Sequence, residues 1–180
     1  MSFPKEFIHL NTALPEAVID LRYATTHNIT GKSLYASQNA YAHRNIFEAL
    51  ECVVGDLRKA GIGLKIWDAY RPVSVQWALW NACPNSLFIA DPKIGSMHNR
   101  GLAVDVTLID AHGRELAMPT PFDDFSPQAA SDYPDLSSDI IANREFLKST
   151  MFAYGFAPLP SEWWHFMMTD IEAPILDIAI

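Results

Sequence analysis

The sequence predicts an α+β fold in which a small antiparallel sheet is flanked by helices. Two patterns support this class. Apolar residues recur at helical spacing between about His43 and Ala60, and Gly61 ends the pattern. Residues 102–109 instead alternate, are rich in β-branched side chains and precede a turn at residues 110–113, which is typical of a strand entering a hairpin.

The first half of the chain supplies the other predicted elements in order. Residues 18–23 (VIDLRY) form a short strand, followed by a turn at residues 28–31. After the first helix, residues 64–69 (LKIWDA) are predicted as a strand. A second helix spans residues 74–82 and ends before Pro84, because proline cannot continue a helix.

In the second half, residues 114–118 are predicted to return as the second strand of the hairpin. Residues 119–138 form a long loop rich in Pro, Ser and Asp, and loops of this length are usually functional or mobile. A last helix covers residues 139–154. We expect Ser138 to cap its start and Gly155 to close its end.

Composition indicates a folded, acidic protein. The chain has 180 residues, of which 49% are apolar and 19% charged, with a formal charge of −8 and a pI of about 5.1. An acidic chain without a basic stripe repels phosphate backbones, so we expect neither nucleic acid nor membrane as a partner. Residues 1–20 contain no apolar run long enough for a signal peptide, so we expect a cytoplasmic protein. Oligomeric state is not indicated.

Any bound metal must be held by histidines and carboxylates. The only cysteines, Cys52 and Cys83, have thirty residues between them and form no CxxC pattern, which argues against a disulfide framework or a cysteine zinc site. Four of the six histidines lack a partner in a recognisable pattern or lie in a predicted turn. They are interpreted as structural or solvent-exposed: His9, His27, His43 and His112.

His98 and Asp105 form the first candidate pair. Asp105 lies in a predicted strand between Val104 and Val106, where a carboxylate is costly unless it is paired, hydrogen-bonded or bound to a metal. In an extended chain, side chains seven positions apart point to opposite sides. The two groups therefore meet one metal only if the backbone leaves register between them, and Gly101 permits that break.

The segment PSEWWHF, residues 160–166, adds Glu162 and His165. Two imidazoles and one carboxylate make a reasonable ligand set for a catalytic zinc that keeps a fourth position for water. His98, Asp105 and His165 would be the ligands, and Glu162 the base that accepts a proton from that water. Spacing alone leaves open that Glu162 ligates and Asp105 does not.

The geometry of this segment can also be predicted. Glu162 and His165 are three residues apart, so a regular strand would place them on opposite faces. An i,i+3 spacing suits a helical turn, whereas the aromatic residues and Pro160 favour extended chain. We therefore predict an irregular or bent segment, with His165 on the metal and Glu162 reaching its water.

Arg71 is the candidate for stabilising an oxyanion. It lies in DAYRP, residues 68–72, at the end of a predicted strand and directly before Pro72. The strand and the proline would fix the position of the Arg71 backbone. The alternative is an arginine paired to a surface carboxylate, the commoner fate of a single arginine. Charge favours a functional role, because divalent zinc with ionised Asp105 and Glu162 is neutral and leaves Arg71 as the surplus positive charge.

Five segments resemble, in order, motifs of the zinc D-Ala-D-Ala dipeptidases, the VanX-type branch of the D,D-peptidases (peptidase M15). SMHNRGLAVD is similar to the family's S-x-H-x-x-G-x-A-x-D signature, EWWH to its second motif and DAYRP to its arginine motif. Residues 20–32 (DLRYATTHNITGK) resemble its entry segment, and residues 118–123 (MPTPFD) its M-G-x-x-F-D stretch. Five motifs in order, between about residues 18 and 168, make chance agreement improbable.

The resemblance implies a Hedgehog/D,D-peptidase-like single domain that hydrolyses the dipeptide D-alanyl-D-alanine. It implies one Zn²⁺ per chain, held by His98, Asp105 and His165. It also implies that Glu162 is the general base and that Arg71 stabilises the oxyanion.

Substrate contacts are likewise implied for Tyr23, Ser96 and Asp123. An anion such as Asp123 is chemically reasonable, because a free dipeptide carries an ammonium group that needs one. The Ser96 hydroxyl can hold the other end of the dipeptide. The neighbouring Asp124 could compete with Asp123 for the ammonium.

A dipeptidase must reject longer peptides, so a small, closed cavity is expected. Residues 119–138 are the candidate lid, and an aromatic cluster is the candidate wall: Trp163, Trp164 and Phe166. Two alternatives are a D,D-carboxypeptidase or endopeptidase acting on cell-wall peptides and a non-catalytic zinc-binding module. Glu162 and Arg71 argue against the module, since a structural zinc needs neither.

Overall fold

A computed structural model describes residues 3–180 as two β-sheets with helices packed against them. The strands are β1 (Phe7–His9), β2 (Val18–Ile19), β3 (Tyr41–His43), β4 (Gly63–Asp68), β5 (Ala103–Ile109), β6 (Ala157–Leu159) and β7 (Glu162–Met167). The α-helices are α1 (Leu10–Ala13), α2 (Arg44–Lys59), α3 (Val73–Ala82) and α4 (Ser138–Ala153). These elements confirm the predicted α+β class.

The larger sheet has five strands in the spatial order β2–β4–β5–β7–β6, and the smaller sheet pairs β1 with β3. The prediction of an antiparallel sheet is correct except at one edge, where β2 pairs with β4 in parallel. The chain between these two strands includes β3 and α2, a crossover long enough to return it to the end of the sheet where β2 began.

Helix α2 is the element that the sequence predicted best. Its buried face consists of the apolar residues that recur at helical spacing: Ile46, Leu50, Val53, Val54 and Leu57. The His43 side chain caps the first turn by accepting a hydrogen bond from the Asn45 backbone N–H at 3.4 Å. Gly61, with a φ of 74°, ends the helix. The buried face packs against β4 and α4.

The helices α3 and α4 form within one residue of their predicted bounds. The predicted cap of α4 is displaced, because Ser138 is already helical and Ser137 occupies the N-cap position without a side-chain hydrogen bond. Gly155 follows the helix with a φ of 87°. Within residues 3–180, no helix is both long and apolar enough to cross a bilayer.

The strand predicted at residues 18–23 pairs only over Val18–Ile19. The Gln38 side chain accepts a hydrogen bond from the Leu21 N–H at 2.6 Å and donates one to the Leu21 carbonyl at 3.3 Å. Because both backbone groups of Leu21 are occupied, the ladder stops there. The chain then turns through a 3₁₀ helix at Arg22–Ala24.

The strand predicted at residues 114–118 is reduced to one bridge between Ile109 and Glu115. The predicted turn before it is present, because the Gly113 N–H donates to the Asp110 carbonyl at 2.9 Å. Pro119 has no N–H to donate, so the pairing cannot extend far beyond this bridge.

Strand β5 crosses the centre of the larger sheet, and all seven of its residues are buried. Its register places Asp105 opposite Asp68 on β4 and opposite His165 on β7. Paired residues of adjacent strands project from the same face of a sheet. Three polar groups from distant parts of the sequence therefore form one row across three strands.

Strand β7 contains the predicted bend. Pro158 on β6 pairs with Phe166, but its neighbour Leu159 pairs with Glu162, whereas unbroken register would place Leu159 opposite His165. This break brings Glu162 Oε2 to 4.0 Å from His165 Nδ1. The segment is thus a strand with a local break in register, and the two side chains are not separated onto opposite faces.

Gly101 turns the chain between His98 and β5. His98 begins a 3₁₀ helix at His98–Arg100, and Gly101 follows with a φ of 65°. A Cβ at this position would lie 2.5 Å from Phe7 Cε1 and 3.0 Å from the His43 backbone nitrogen. The predicted break in register is therefore present, at a position where only glycine fits.

We expect Gly101→Ala to destabilise the protein more than Gly113→Ala does. Both glycines have a left-handed φ, of 65° and 78°, so each substitution carries a backbone penalty of roughly 1–2 kcal/mol. Nothing lies within 4 Å of a Cβ at Gly113, whereas crowding at Gly101 adds about 1–3 kcal/mol. Chemical denaturation of both variants checks this, and equal losses would contradict the packing argument.

Candidate active site

Three buried donor atoms converge where the row across the sheet meets the turn before β5. His98 Nε2 lies 3.1 Å from His165 Nδ1 and 3.3 Å from Asp105 Oδ1. His165 Nδ1 lies 3.0 Å from the same oxygen. Ligands held tetrahedrally at zinc distances are about 3.3 Å apart. The spacing of these three donors therefore fits a zinc-sized cation.

The tautomer of His98 is fixed by the backbone. Its Nδ1 lies 2.6 Å from the carbonyl oxygen of Ala69. A carbonyl oxygen only accepts hydrogen bonds, so Nδ1 must carry the proton and Nε2 must present its lone pair to the cluster. Most metal-binding histidines are oriented in this way, by a hydrogen bond from the ring nitrogen that does not bind the metal.

The protonation states of the other two donors also suit a cation. Burial would raise the pKa of the Asp105 carboxyl, but His98 and His165 beside it hold that pKa well below its usual range. Burial lowers the pKa of His165 below its usual value. The site therefore presents one carboxylate and a neutral imidazole, which are the forms that bind metals.

Glu162 is a buried carboxyl beside this cluster, with its Oε2 4.0 Å from His165 Nδ1. Burial, followed by the negative charge of Asp105, raises the pKa of Glu162 well above its usual value. Such a group holds and releases a proton more readily near neutral pH than an exposed carboxyl.

Arg71 is buried, and most of its N–H groups face acceptors in the protein. Its Nε and Nη2 lie 2.9 and 2.8 Å from Asp68 Oδ2, and its Nη1 donates to Gln76 Oε1 at 2.9 Å. Arg71 Nη2 also lies 3.5 Å from Asp105 Oδ2, so the second hydrogen on Nη1 is the one left for another acceptor. The guanidinium also stacks over the Tyr23 ring at 5.0 Å.

The role of Asp68 was missed in the sequence analysis. Its carboxylate is fully buried, receives the Arg71 guanidinium and accepts a hydrogen bond from Tyr35 Oη at 2.7 Å. The predicted charge balance therefore changes, because Asp68 offsets Arg71 and the arginine is not a surplus charge. The signal was present in the DAYRP motif, which begins with this aspartate.

The cluster opens into a cavity of about 220 Å³, small beside the ~300–1,000 Å³ of typical small-molecule sites. All residues that the sequence analysis assigned to the site border this cavity: Tyr23, Arg71, Ser96, His98, Asp105, Asp123, Glu162 and His165. The structure therefore brings together in one place side chains drawn from five separate motifs.

Asp123 is anchored at the cavity with a left-handed φ of 60°, which is uncommon for a residue other than glycine. It accepts hydrogen bonds from Tyr23 Oη at 3.0 Å and from the Ile29 N–H at 2.9 Å. Burial raises the pKa of Asp123 to about 6. Asp124 instead accepts a hydrogen bond from the Ser126 N–H at 2.8 Å and does not border the cavity.

The aromatic wall is smaller than predicted. Of the three residues assigned to it, only Trp164 borders the cavity. Trp163 packs against Trp67, with ring centroids 5.7 Å apart, and donates to Thr120 Oγ1 at 3.0 Å. Phe166 is buried in the hydrophobic core. Trp163 and Phe166 therefore stabilise the fold beside the site.

The sequence is similar to that of a known family of enzymes. Residues 4–178 match the peptidase M15 family, described as D-ala-D-ala dipeptidase. The chain is 37% identical over 177 residues to the D-alanyl-D-alanine dipeptidase of Escherichia coli (strain K12), covering 98% of this chain and 92% of that protein. It is 31% identical to the D-alanyl-D-alanine dipeptidase of Streptomyces coelicolor, covering 86% and 87%.

Two solved structures share the fold at 16% sequence identity. One is the vancomycin-resistance D,D-pentapeptidase VanY in complex with Zn(II), with a TM-score of 0.50 over 74% of this chain and 76% of that chain. The other is the LD-carboxypeptidase LdcB, with a TM-score of 0.52 over 93% and 69%. Because the family match spans almost the whole sequence and the E. coli relative is similar over nearly its full length, this chain belongs to the peptidase M15, D-ala-D-ala dipeptidase family of hydrolytic enzymes.

Proposed function

We propose that this enzyme hydrolyses the free dipeptide D-alanyl-D-alanine to two D-alanines, using one Zn²⁺ per chain. The observation that carries the proposal is one small cavity that is bordered by both the three-donor cluster and the half-buried carboxylate of Asp123. The E. coli and Streptomyces relatives are D-alanyl-D-alanine dipeptidases, which supports this substrate. A cavity of about 220 Å³ favours a dipeptide over a cell-wall stem peptide.

His98, Asp105 and His165 are the proposed zinc ligands. Asp105 is favoured over Glu162 as the carboxylate ligand, because its oxygen lies 3.0 Å from His165 Nδ1 while that of Glu162 lies 4.0 Å away. Zinc bound there would supply positive charge that polarises the scissile carbonyl and acidifies water.

Glu162 is the proposed proton carrier. Its carboxylate removes a proton from the attacking water molecule, and the resulting carboxyl gives a proton to the leaving amine nitrogen. Burial suits both halves of this cycle, because a raised pKa makes the carboxylate a stronger base and lets the acid form persist near neutral pH.

Arg71 is the proposed partner of the developing oxyanion. Its ion pair with Asp68 holds the guanidinium in place, so little reorganisation is needed when negative charge develops on the substrate. The second Nη1 hydrogen, which no acceptor within residues 3–180 binds, is the donor available for this contact.

The substrate is held by its two charged ends. The carboxylate of Asp123 binds the ammonium, and Tyr23 orients that carboxylate through their 3.0 Å hydrogen bond. Ser96 Oγ accepts a hydrogen bond from the His98 N–H at 3.2 Å, so its own O–H is free to donate to the substrate carboxylate. Both ends of a free dipeptide are thereby recognised by charge or hydrogen bonding.

We expect Asp105→Asn to abolish stoichiometric zinc binding, because the amide carries no charge and His98 and His165 alone leave the ligand set incomplete. Asp110→Asn, directly after the same strand, should keep the metal. Metal analysis of both purified variants checks this. The wild-type enzyme should lose activity in a strong chelator and regain it with added Zn²⁺, and full activity in the chelator would refute the metal proposal.

For Glu162→Gln, we expect kcat to fall about 10²–10⁴-fold with zinc content unchanged, since the amide cannot accept the proton. Glu51→Gln, an exposed substitution on α2, serves as the matched control and should keep the wild-type rate. Steady-state kinetics with parallel metal analysis separates loss of chemistry from loss of metal. Loss of zinc from Glu162→Gln would instead favour Glu162 as a ligand.

Binding of the substrate ammonium should weaken as pH falls through about 6, the pKa of Asp123, because only its ionised form attracts a cation. KM should rise about tenfold between pH 8 and pH 5. Zinc loss in the same range would lower kcat, so the two constants are measured separately. Asp123→Asn, which tolerates the left-handed φ, should have a high KM that does not vary in this range. Asp124→Asn should keep the wild-type profile, and the reverse result would assign the ammonium to Asp124.

A further inference from the structure

Two phenylalanines from different loops stack against each other at the cavity. Phe88 lies between α3 and the turn that carries His98, and Phe125 follows Asp123 in the long loop before α4. Their ring centroids are 4.5 Å apart and their planes differ by 13°. Both residues border the cavity, so the stack connects the two loops that carry them.

Both loops are fixed by hydrogen bonds close to their phenylalanines. In the Phe125 loop, the Asp123 carboxylate accepts them from Tyr23 Oη and the Ile29 N–H. The Phe88 loop is bound on either side of the ring. Ser161 Oγ donates to the Leu87 carbonyl at 2.7 Å, and Gln76 Nε2 donates to the Ala90 carbonyl at 2.8 Å. Gln76 also receives the Arg71 guanidinium, which ties the Phe88 loop to the centre of the site. The stack is therefore a fixed part of the cavity.

The stack lies near the protein surface, because Phe88 and Phe125 are each only half-buried and the neighbouring Leu87 side chain is 69% exposed. Asp123, two residues before Phe125, is also half-buried and borders the same cavity. The two rings thus border the cavity close to both the Asp123 segment and the protein surface. If Asp123 binds the substrate ammonium, as proposed above, the rings occupy the space into which a peptide extended at its amino end would have to pass.

We propose that the Phe88–Phe125 stack is the stop that restricts this enzyme to dipeptides by closing the cavity beyond the amino end of the substrate. This inference rests on the proposed function and adds the residues that determine substrate length. A peptide extended at its amino end meets two barriers. Its additional residue collides with the rings, and its displaced ammonium leaves the Asp123 carboxylate in the cavity without a cation.

The test compares three substrates: D-Ala-D-Ala, the amino-extended Gly-D-Ala-D-Ala and the carboxyl-extended D-Ala-D-Ala-Gly. For Phe88→Ala and Phe125→Ala, we expect the kcat/KM for Gly-D-Ala-D-Ala, relative to that for D-Ala-D-Ala, to rise at least about tenfold. The relative value for D-Ala-D-Ala-Gly should not rise. Phe152→Ala, on the outer face of α4 and 70% exposed, is the control and should keep both wild-type ratios.

Thermal unfolding identifies any alanine variant that fails to fold, and Phe88→Leu and Phe125→Leu then provide smaller, apolar replacements for the same measurement. Unchanged ratios in folded variants would overturn the proposal, as would a wild-type enzyme that cleaves Gly-D-Ala-D-Ala as fast as the dipeptide. Equal gains for both extended peptides would show a general loosening and would also overturn it. Failure of the zinc-loaded wild type to cleave D-Ala-D-Ala would contradict the proposed function itself.

Discussion

The carboxylate of Asp105 is the constraint on which the rest of the structure depends. It lies in the middle of a strand whose seven residues are all buried, where an uncompensated charge is very costly. Its oxygens lie within 3.5 Å of nitrogens of His98, His165 and Arg71. Removing one partner of a buried ionic group typically costs ~3–5 kcal/mol, so these contacts bind four chain segments into one arrangement.

The irregular features of the fold follow from this requirement. A regular strand would carry His98 to the wrong side of β5, and Gly101 corrects this with a left-handed turn. A regular β7 would separate Glu162 from His165, and the break in its register against β6 prevents that. Both irregularities lie beside the cavity, whereas the pairing of β4 with β5 remains regular where it is distant from the site.

The sequence predicted well those features that depend on local periodicity or on a locally costly residue. Helix α2 and strand β5 follow from spacing, and the need for partners at Asp105 follows from its apolar neighbours. Prediction from the sequence failed where tertiary contacts decide the outcome. The Gln38 side chain ends the first strand by binding Leu21, 17 residues away in sequence, and the Asp68 carboxylate offsets the positive charge of Arg71. No local pattern indicated Tyr23 or the stacking of Phe88, so the first came only from family resemblance and the second from the structure.

The proposed catalytic groups and the residues proposed to limit substrate length lie on different parts of this fold. The proposed ligands and proton carrier lie on β5, β7 and the turn before β5, which the sheet holds rigidly. Asp123, Phe88 and Phe125 lie on loops, which can change in length and sequence without disturbing the sheet. Two proteins that share the fold at 16% identity are described as a D,D-pentapeptidase and an LD-carboxypeptidase. Because one fold can serve enzymes that act on different peptides, the proposed limit on substrate length is placed on the loops and not on the sheet.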